Sequence, residues 1–307
     1  MSAPIAPTGS EEDPRAQRAD DDGSPPPGRD VVVGVDGTEV GLGAVRWAAE
    51  EAARRGAALR ILHAAPYLGP GSTAGAPPPE LPRARGITAV AYTVARHTEP
   101  GVPASTEVVP GDPVTSLLRA AAAGQLLVLG SSTTGAADEM VLATLAARVA
   151  VRSPVPVVVV PRRRGPATDG RPVVAIVGVG DRADDEAVAE FAARAAQRSG
   201  AALSVLQTRN PQRNVAASWV DDPDEWAQRF GDLEVTTSAL PDARGNELLD
   251  AVCPSPLLAI STGHGSLLHR TLDGAHRWML RHCTSPMALV PDVHRSEREV
   301  GEASPVP

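Results

Sequence analysis

The sequence predicts an α/β protein of two domains, on three observations. Its 307 residues exceed one ordinary core and suit two domains of roughly 120 to 150 residues each. Hydrophobic residues make up 42% of the chain but aromatics only 3%, so the cores are built from Ala, Val and Leu, as in parallel sheets covered by helices. Strand-like and helix-like patterns alternate, and the whole series occurs twice, which predicts parallel strands joined by right-handed crossovers.

Residues 1–29, including "ADDDGSPPPGRD", hold almost nothing large and apolar and are expected to form a disordered acidic, Pro-rich arm. The first copy opens with "DVVVGVDGT", a β-branched run ending in turn residues. In "EVGLGAVRWAAEEAARRG" that follows, Val45, Ala48, Ala49 and Ala52 recur at helical spacing and Gly56 stops the run. "AALRILHA" is the second strand, followed by the Pro/Gly-rich loop "PYLGPGSTAGAPPPELP". A helix is expected around 83–98, then a strand at "ASTEVVP", then a helix capped by Asp112 and opened by Pro113. "QLLVLG", a helix after Asp138 and "VPVVVVP" complete the copy.

The second copy begins at "RPVVAIVGVGDRADDEAVAEFAARAAQRSGAALSVLQT". Aligning Gly56 with Gly200 gives an offset of 144, which pairs Gly34 with Gly178 and Asp36 with Gly180. Aligning Pro161 with Pro291 gives 130, so the second copy is expected to lose 14 residues between its second and fourth strands. A repeat of this length reads as a duplicated domain. The expected boundaries are a domain over 30–161, an Arg-rich linker over 162–171, a shorter second domain over 172–291 and a disordered tail over 292–307. "PVVVVP" and "PMALVP" are short apolar strands, and the two copies are expected to meet through them.

Charge and composition exclude several functions. All 29 basic side chains are Arg, and without Lys there is no Walker-type phosphate loop, Schiff base or pyridoxal chemistry. A net charge of -8 opposes binding to nucleic acid or anionic lipid, and the cluster "PRRRG" reads as a solvated linker. No apolar run reaches the roughly 18 residues of a membrane span and no leader pattern opens the chain, so a cytoplasmic protein is expected.

Cys253 and Cys283 lack a close spacing, which predicts a reducing compartment, no disulfide framework and no thiol nucleophile. His269, Asp273 and His276 share one face of any helix there, and read as a polar face rather than a metal site. His264 reads as an exposed loop residue, and Trp219, Trp226 and Phe230 as a core-facing stripe. No Gly-x-Ser-x-Gly elbow or spaced carboxylate pair supplies hydrolase chemistry.

"VVVGVDGT", "AVRWAAEEAARRGAAL", "VVPGDP", "LLVLGSS" and "SPVPVVVVP" occur in the order and at the spacing of one family. Over roughly residues 30–291 the chain resembles the universal stress protein family in its tandem two-domain form. The resemblance implies two flavodoxin-like or Rossmann-like (adenine nucleotide alpha hydrolase-like) domains, each a five-stranded parallel sheet flanked by helices, packed as an internal pseudo-dimer.

Many members of that family bind ATP through Gly-x-x-Gly, nine residues, then Gly-Ser/Thr, where backbone N–H groups of a turn and a helix N-terminus meet phosphate oxygens. Laid on the first copy, this pattern falls on Gly130, Thr133, Ala143 and Thr144, so two of three glycines are missing. Laid on the second, it falls on Ile260, Gly263, Asp273 and Gly274. The family's first-strand aspartate matches Asp36, which serves equally well as a turn or capping residue, and Val109 and Gly111 match the stretch lining its adenosine pocket. The candidate nucleotide-binding residues are thus Asp36, Val109, Gly111, Gly130, Ser131 and Thr144. Backbone strain at Thr133 costs roughly 1 to 2 kcal/mol if glycine's left-handed conformation is needed there, and Ala143 about as much, weakening binding roughly 30- to 1,000-fold.

The function so implied is a non-catalytic stress-response regulatory or protective module. Its ligand is ATP with magnesium, with weak, partial or lost binding confined to the first copy. No catalytic or metal-binding residue is implied, and the protein partners are left unnamed. One alternative is an ATP-binding sensor with slow hydrolysis. Another is an adenine-nucleotide-using enzyme of the same fold type, although "GVDGTE" stands where such enzymes carry an "SGGxDS"-like loop.

Overall fold

The computed structural model describes residues 30–68, 80–131, 145–162, 170–178, 182–207, 222–239, 246–262 and 274–291. The first half runs β1 (Asp30–Gly34), α1 (Glu39–Arg55), β2 (Leu59–Ala65), α2 (Leu81–Thr98), β3 (Ala104–Pro110), α3 (Pro113–Ala122), β4 (Gly124–Ser131), helical residues 145–150 (α4) and β5 (Val157–Pro161). The second runs β6 (Val173–Val177), α5 (Arg182–Ser199), β7 (Leu203–Gln207), α6 (Pro223–Phe230), β8 (Val235–Ala239), α7 (Asn246–Val252), β9 (Leu258–Ser261), α8 (Gly274–His282) and β10 (Met287–Val290).

Local chemistry sets the helix ends. Thr38 caps α1 by accepting from the Gly41 N–H, and Gly56 closes it in the left-handed conformation, its N–H reaching the Ala52 and Ala53 carbonyls. Asp112 caps α3 by accepting from the Thr115 N–H, with Pro113 in the first turn as expected.

The ten strands form one sheet in the order β3-β2-β1-β4-β5-β10-β9-β6-β7-β8. Neighbours within each half are parallel, and β5 and β10 are antiparallel. Side chains alternate between two apolar layers. Val31 and Val33 join α1, α2 and α5 on one face, whereas Val32 joins α3, α4 and α8 on the other. Ala44, Ala48 and Ala52 are fully buried along α1, so this helix lies close on the sheet, with Trp47 in the same apolar layer. Trp226 and Phe230 are buried as the expected stripe, their ring centroids 5.2 Å apart; Trp219 lies outside the described residues. No helix among the described residues is long and apolar enough to cross a membrane.

Strand register corrects the alignment of the two copies. Leu59 pairs with Val31 and Leu203 with Val173, so β2 and β7 keep the offset of 144 while β1 and β6 are related by 142. The same strands pair Leu59 with Ala104 and Leu203 with Val235, an offset of 131 for β3 and β8. Leu127 and Leu258 then correspond at 131, and Val157 and Met287 at 130. Thirteen residues are therefore lost between the second and third strands and one between the fourth and fifth, while the turn after β6 gains two. Gly34 corresponds to Ile176, Asp36 to Gly178 and Gly130 to Ser261, rather than to Gly178, Gly180 and Ile260. Side-chain parity agrees: Ile260 and Leu129 both enter the layer of α3 and α8.

Cys253 and Cys283, which lack a close spacing in the sequence, follow α7 and α8 with their sulfurs 2.7 Å apart, both as free cysteines.

Candidate functional site

In a sheet ordered 3-2-1-4-5, the crossovers leave β1 and β4 in opposite directions, and a crevice opens beyond their carboxyl ends. Here that crevice is a cavity of about 390 Å³ lined by Gly34, Val35 and Asp36 after β1, Leu62, His63 and Ala64 of β2, Leu129 and Gly130 of β4, and residues of α1, α3 and α4. Its walls are mainly apolar, from Val35, Val40, Leu62, Val114, Leu117, Leu129 and Leu145, and its charged groups are Asp36, Asp112 and Arg148.

Two glycines shape it. A Cβ on Gly34 would stand 2.7 Å from side-chain carbons of Leu117 and Leu129. A Cβ on Gly130 would stand 2.9 Å from the Val40 carbonyl oxygen, so glycine lets the end of β4 approach the first turn of α1. This packing requirement holds with or without a ligand. In the second half Ile176 takes the place of Gly34 and is only 2% exposed, within the same layer as Ile260, at 4%. Among the described residues, a buried branched side chain thus stands in the second half where glycine borders the cleft in the first.

The polar groups are held in defined bonds. Asp36 Oδ1 accepts from the Thr38 N–H at 2.9 Å and from Thr38 Oγ1 at 2.6 Å, which fixes the turn leading into the N-cap of α1. Asp36 is exposed, and its Oδ2 has no hydrogen-bond partner among the described residues. At the corresponding place the Gly178 N–H donates to Asp185 Oδ1 at 2.8 Å, so a helix carboxylate braces the second turn. Buried His63 bonds the Val35 carbonyl through Nδ1 and the Tyr67 hydroxyl through Nε2, each at 2.8 Å. Asp112 accepts from the Thr115 N–H and from Thr115 Oγ1, each at 2.9 Å. The Thr115 amide, then its hydroxyl and then the Arg148 charge hold the Asp112 carboxyl below its ordinary value.

Of the candidates read from sequence, Asp36 and Gly130 meet at this cleft. Ser131 is buried and lies opposite Pro161 of β5. Val109 packs partly buried against the α3 layer, and Gly111, at φ 109°, donates its N–H to the Ala65 carbonyl at 3.4 Å. Neither lines the cleft, although Asp112 and Pro113 beside Gly111 do. Thr144 lies outside the described residues, as do Thr133, Ala143, Gly263, His264, His269 and Asp273. His63 and Arg148 were missed. His63 is signalled only as a polar exception in the apolar run "LRILHAA", and Arg148 only as a charge among alanines.

Residues 28–161 match the universal stress protein family. A universal stress protein of Mycobacterium tuberculosis, found in two strains, is 31% identical over 227 residues, covering 72% of this chain and 79% of that protein. A universal stress protein from Archaeoglobus fulgidus has a similar fold, with a TM-score of 0.65 at 14% identity over 85% of this chain and 96% of that one. A functionally unknown protein from Pseudomonas aeruginosa has a TM-score of 0.59 at 14% identity, over 90% and 98% of the two chains.

Proposed function

The chain belongs to the universal stress protein family, and from that premise we propose that it is a tandem, non-catalytic regulatory module that binds one adenine nucleotide, in its first half. The observation that carries this reading is the asymmetry between Gly34 and Ile176. One copy of the fold keeps a cleft at its β1/β4 crevice, and the other puts a buried isoleucine there.

The chemistry of the lining suits a nucleoside phosphate in one orientation. The free Oδ2 of Asp36 accepts from ribose hydroxyls but repels phosphate, so the sugar sits at the end of β1. The apolar walls take the base. The phosphates then lie toward the end of β4, where Gly130 allows close approach and Arg148 supplies positive charge. Magnesium enters as a counter-ion of the phosphates: no group of three His, Cys, Asp or Glu side chains gathers among the described residues to hold a metal.

Binding without turnover is supported by the commitments of His63 and Asp112. Both His63 ring nitrogens are already engaged within the protein, and Asp112 Oδ2 is held by Thr115 as the cap of α3, roles that fix these groups in the fold. The second half acts as a fixed partner covering β5, and the two halves, 30–161 and 172–291, form an internal pseudo-dimer. Calorimetric titration with ATP and magnesium tests the reading. One weak site, lost in Asp36→Ala, supports it; two equal sites or none reject it.

A further inference from the structure

We infer that Cys253 and Cys283 form a reversible thiol–disulfide pair that takes hydroperoxides as oxidant, with Cys253 attacking and Cys283 resolving. Cys253 follows α7 and Cys283 follows α8, in the turns that lead into the adjacent parallel strands β9 and β10. The Ser255 N–H donates to Ser285 Oγ at 2.8 Å and ties the two turns together, and the two sulfurs meet at 2.7 Å. Little movement separates this contact from a bond.

The repeat supplies an internal control. At the offsets fixed by strand register, 131 for β9 and 130 for β10, Cys253 corresponds to Ala122 and Cys283 to Ser153. The first half closes the same two turns without sulfur, and Ser153 Oγ there donates to the Val155 carbonyl and accepts from the Val155 N–H. Packing therefore does not demand cysteine at either place, and the second half carries both at once.

The two thiols differ in the way the chemistry needs. Cys253 is partly exposed, whereas Cys283 is 6% exposed, so a small oxidant reaches Cys253 first. The hydrogen bond shared with Cys283 lowers the Cys253 thiol against the opposing effect of burial, with further bonds from Ser285 and the Thr284 amide. The same bond, then burial and the charge on Cys253, push the Cys283 thiol up. The two thiols are thus shifted in opposite directions, with Cys253 the more acidic.

The Cys253 thiolate attacks a peroxide oxygen. The O–O bond breaks, the leaving oxygen takes a proton from solvent, and Cys253 becomes a sulfenic acid. Cys283 then gives up its proton and attacks the Cys253 sulfur; the S–S bond forms, and hydroxide leaves as water. One hydroperoxide and two thiols yield one disulfide, one water and one alcohol, or a second water from hydrogen peroxide. A small dithiol restores the pair by exchange.

The reduced full-length protein is treated with one equivalent of hydrogen peroxide and examined by thiol titration, intact mass and non-reducing Arg-specific peptide mapping. Both thiols should vanish together, the mass should fall by two hydrogens, and one peptide should join Cys253 to Cys283 within a chain. In C283S, dimedone should trap a sulfenic acid on Cys253. In C253S, the remaining thiol should react about tenfold more slowly or less. Iodoacetamide at neutral pH should label Cys253 before Cys283 in the unmutated chain, a readout independent of how the variants fold. Thiols that survive peroxide, a bond formed only between chains, or prior labelling of Cys283 would overturn the proposal.

Discussion

Val158 lies opposite Ala288 in the antiparallel pairing of β5 with β10, and Ala288 is Val158's own counterpart in the repeat, 130 residues on. The flanking pairs, Val157 with Leu289 and Val159 with Met287, exchange under the same relation. A pairing that maps onto itself is the geometry of an isologous two-fold interface, here closed within one chain.

That symmetry makes a first-half fragment a predicted homodimer. Residues 30–162 expressed alone carry β5 as an unpaired edge of Val157, Val158, Val159 and Val160, all buried in the full chain. The same register lets two fragments pair through β5, with Val158 opposite Val158. Light scattering should give a dimer, and Val158→Asp should give a monomer or an aggregate, because it places like charges at the two-fold centre. A monomeric unmutated fragment would refute the symmetry argument.

Glu51 gives a second junction between the halves. It is 4% exposed, and its carboxylate meets Arg55 Nε at 2.6 Å, Arg54 Nε at 3.0 Å and, from α5, Arg198 Nη2 at 3.4 Å. Arg55 Nη2 and Arg198 Nε are buried without hydrogen-bond partners, and three guanidinium groups meet the Glu51 carboxylate. Removing this carboxylate takes away the acceptor of buried guanidinium groups, at a cost of about 3 to 5 kcal/mol. Urea denaturation should show a loss of that size for Glu51→Ala and a smaller one for Glu51→Gln, which keeps an acceptor oxygen. A loss below about 1 kcal/mol in Glu51→Ala would mean that water solvates the cluster.

The elements of the fold were legible because each is written locally. "DVVVG" and "VVVVP" are β-branched runs, the Asp112-Pro113 pair opens a helix, and Gly56 ends one. Register was not legible, since helix-terminal glycines carry no information about the two residues inserted after β6, and that insertion moved Gly34 from Gly178 onto Ile176. Asp36 and Gly130 were readable because each sits in its own family-like stretch, "VVVGVDGT" and "LLVLGSS". His63 and Arg148 come to the cleft from β2 and α4, and Cys253 and Cys283 meet from turns thirty residues apart, so no single stretch of chain records either encounter.

Asp112 predicts a pH signature at the cleft. Its folded carboxyl lies below the ordinary value of 3.8, chiefly through the Thr115 amide, so its contribution is present above that value and is lost as pH falls through the lower folded one. Asp112→Ala should cost about 1 kcal/mol near neutral pH through loss of the cap of α3. The difference from the unmutated chain should close as pH drops below 3.8. Asp112→Asn, which caps without titrating, should narrow it at every pH. A gap that stays constant into acid would mean that Asp112 acts by packing rather than as a charged cap.

Ligand stoichiometry depends on what occupies the Gly34 position. In the first half a Cβ there meets only the far ends of Leu117 and Leu129, groups able to shift, whereas the second half accommodates Ile176 in full. Gly34→Ile should therefore carry the second half's plug into the first, at an overpacking cost of about 1 to 3 kcal/mol, with the sheet intact by circular dichroism. Nucleotide binding should disappear in this variant although Asp36, Gly130 and Arg148 are all retained. Ile176→Gly is the reverse experiment: it should lower stability by about 2 to 5 kcal/mol without creating a second site, because Gly178 supplies no carboxylate for the ribose. Calorimetry on both variants separates shape from charge. Binding that survives Gly34→Ile would place the nucleotide outside the β1/β4 crevice, and a second site in Ile176→Gly would show that cavity shape alone, without Asp36, decides which half is occupied.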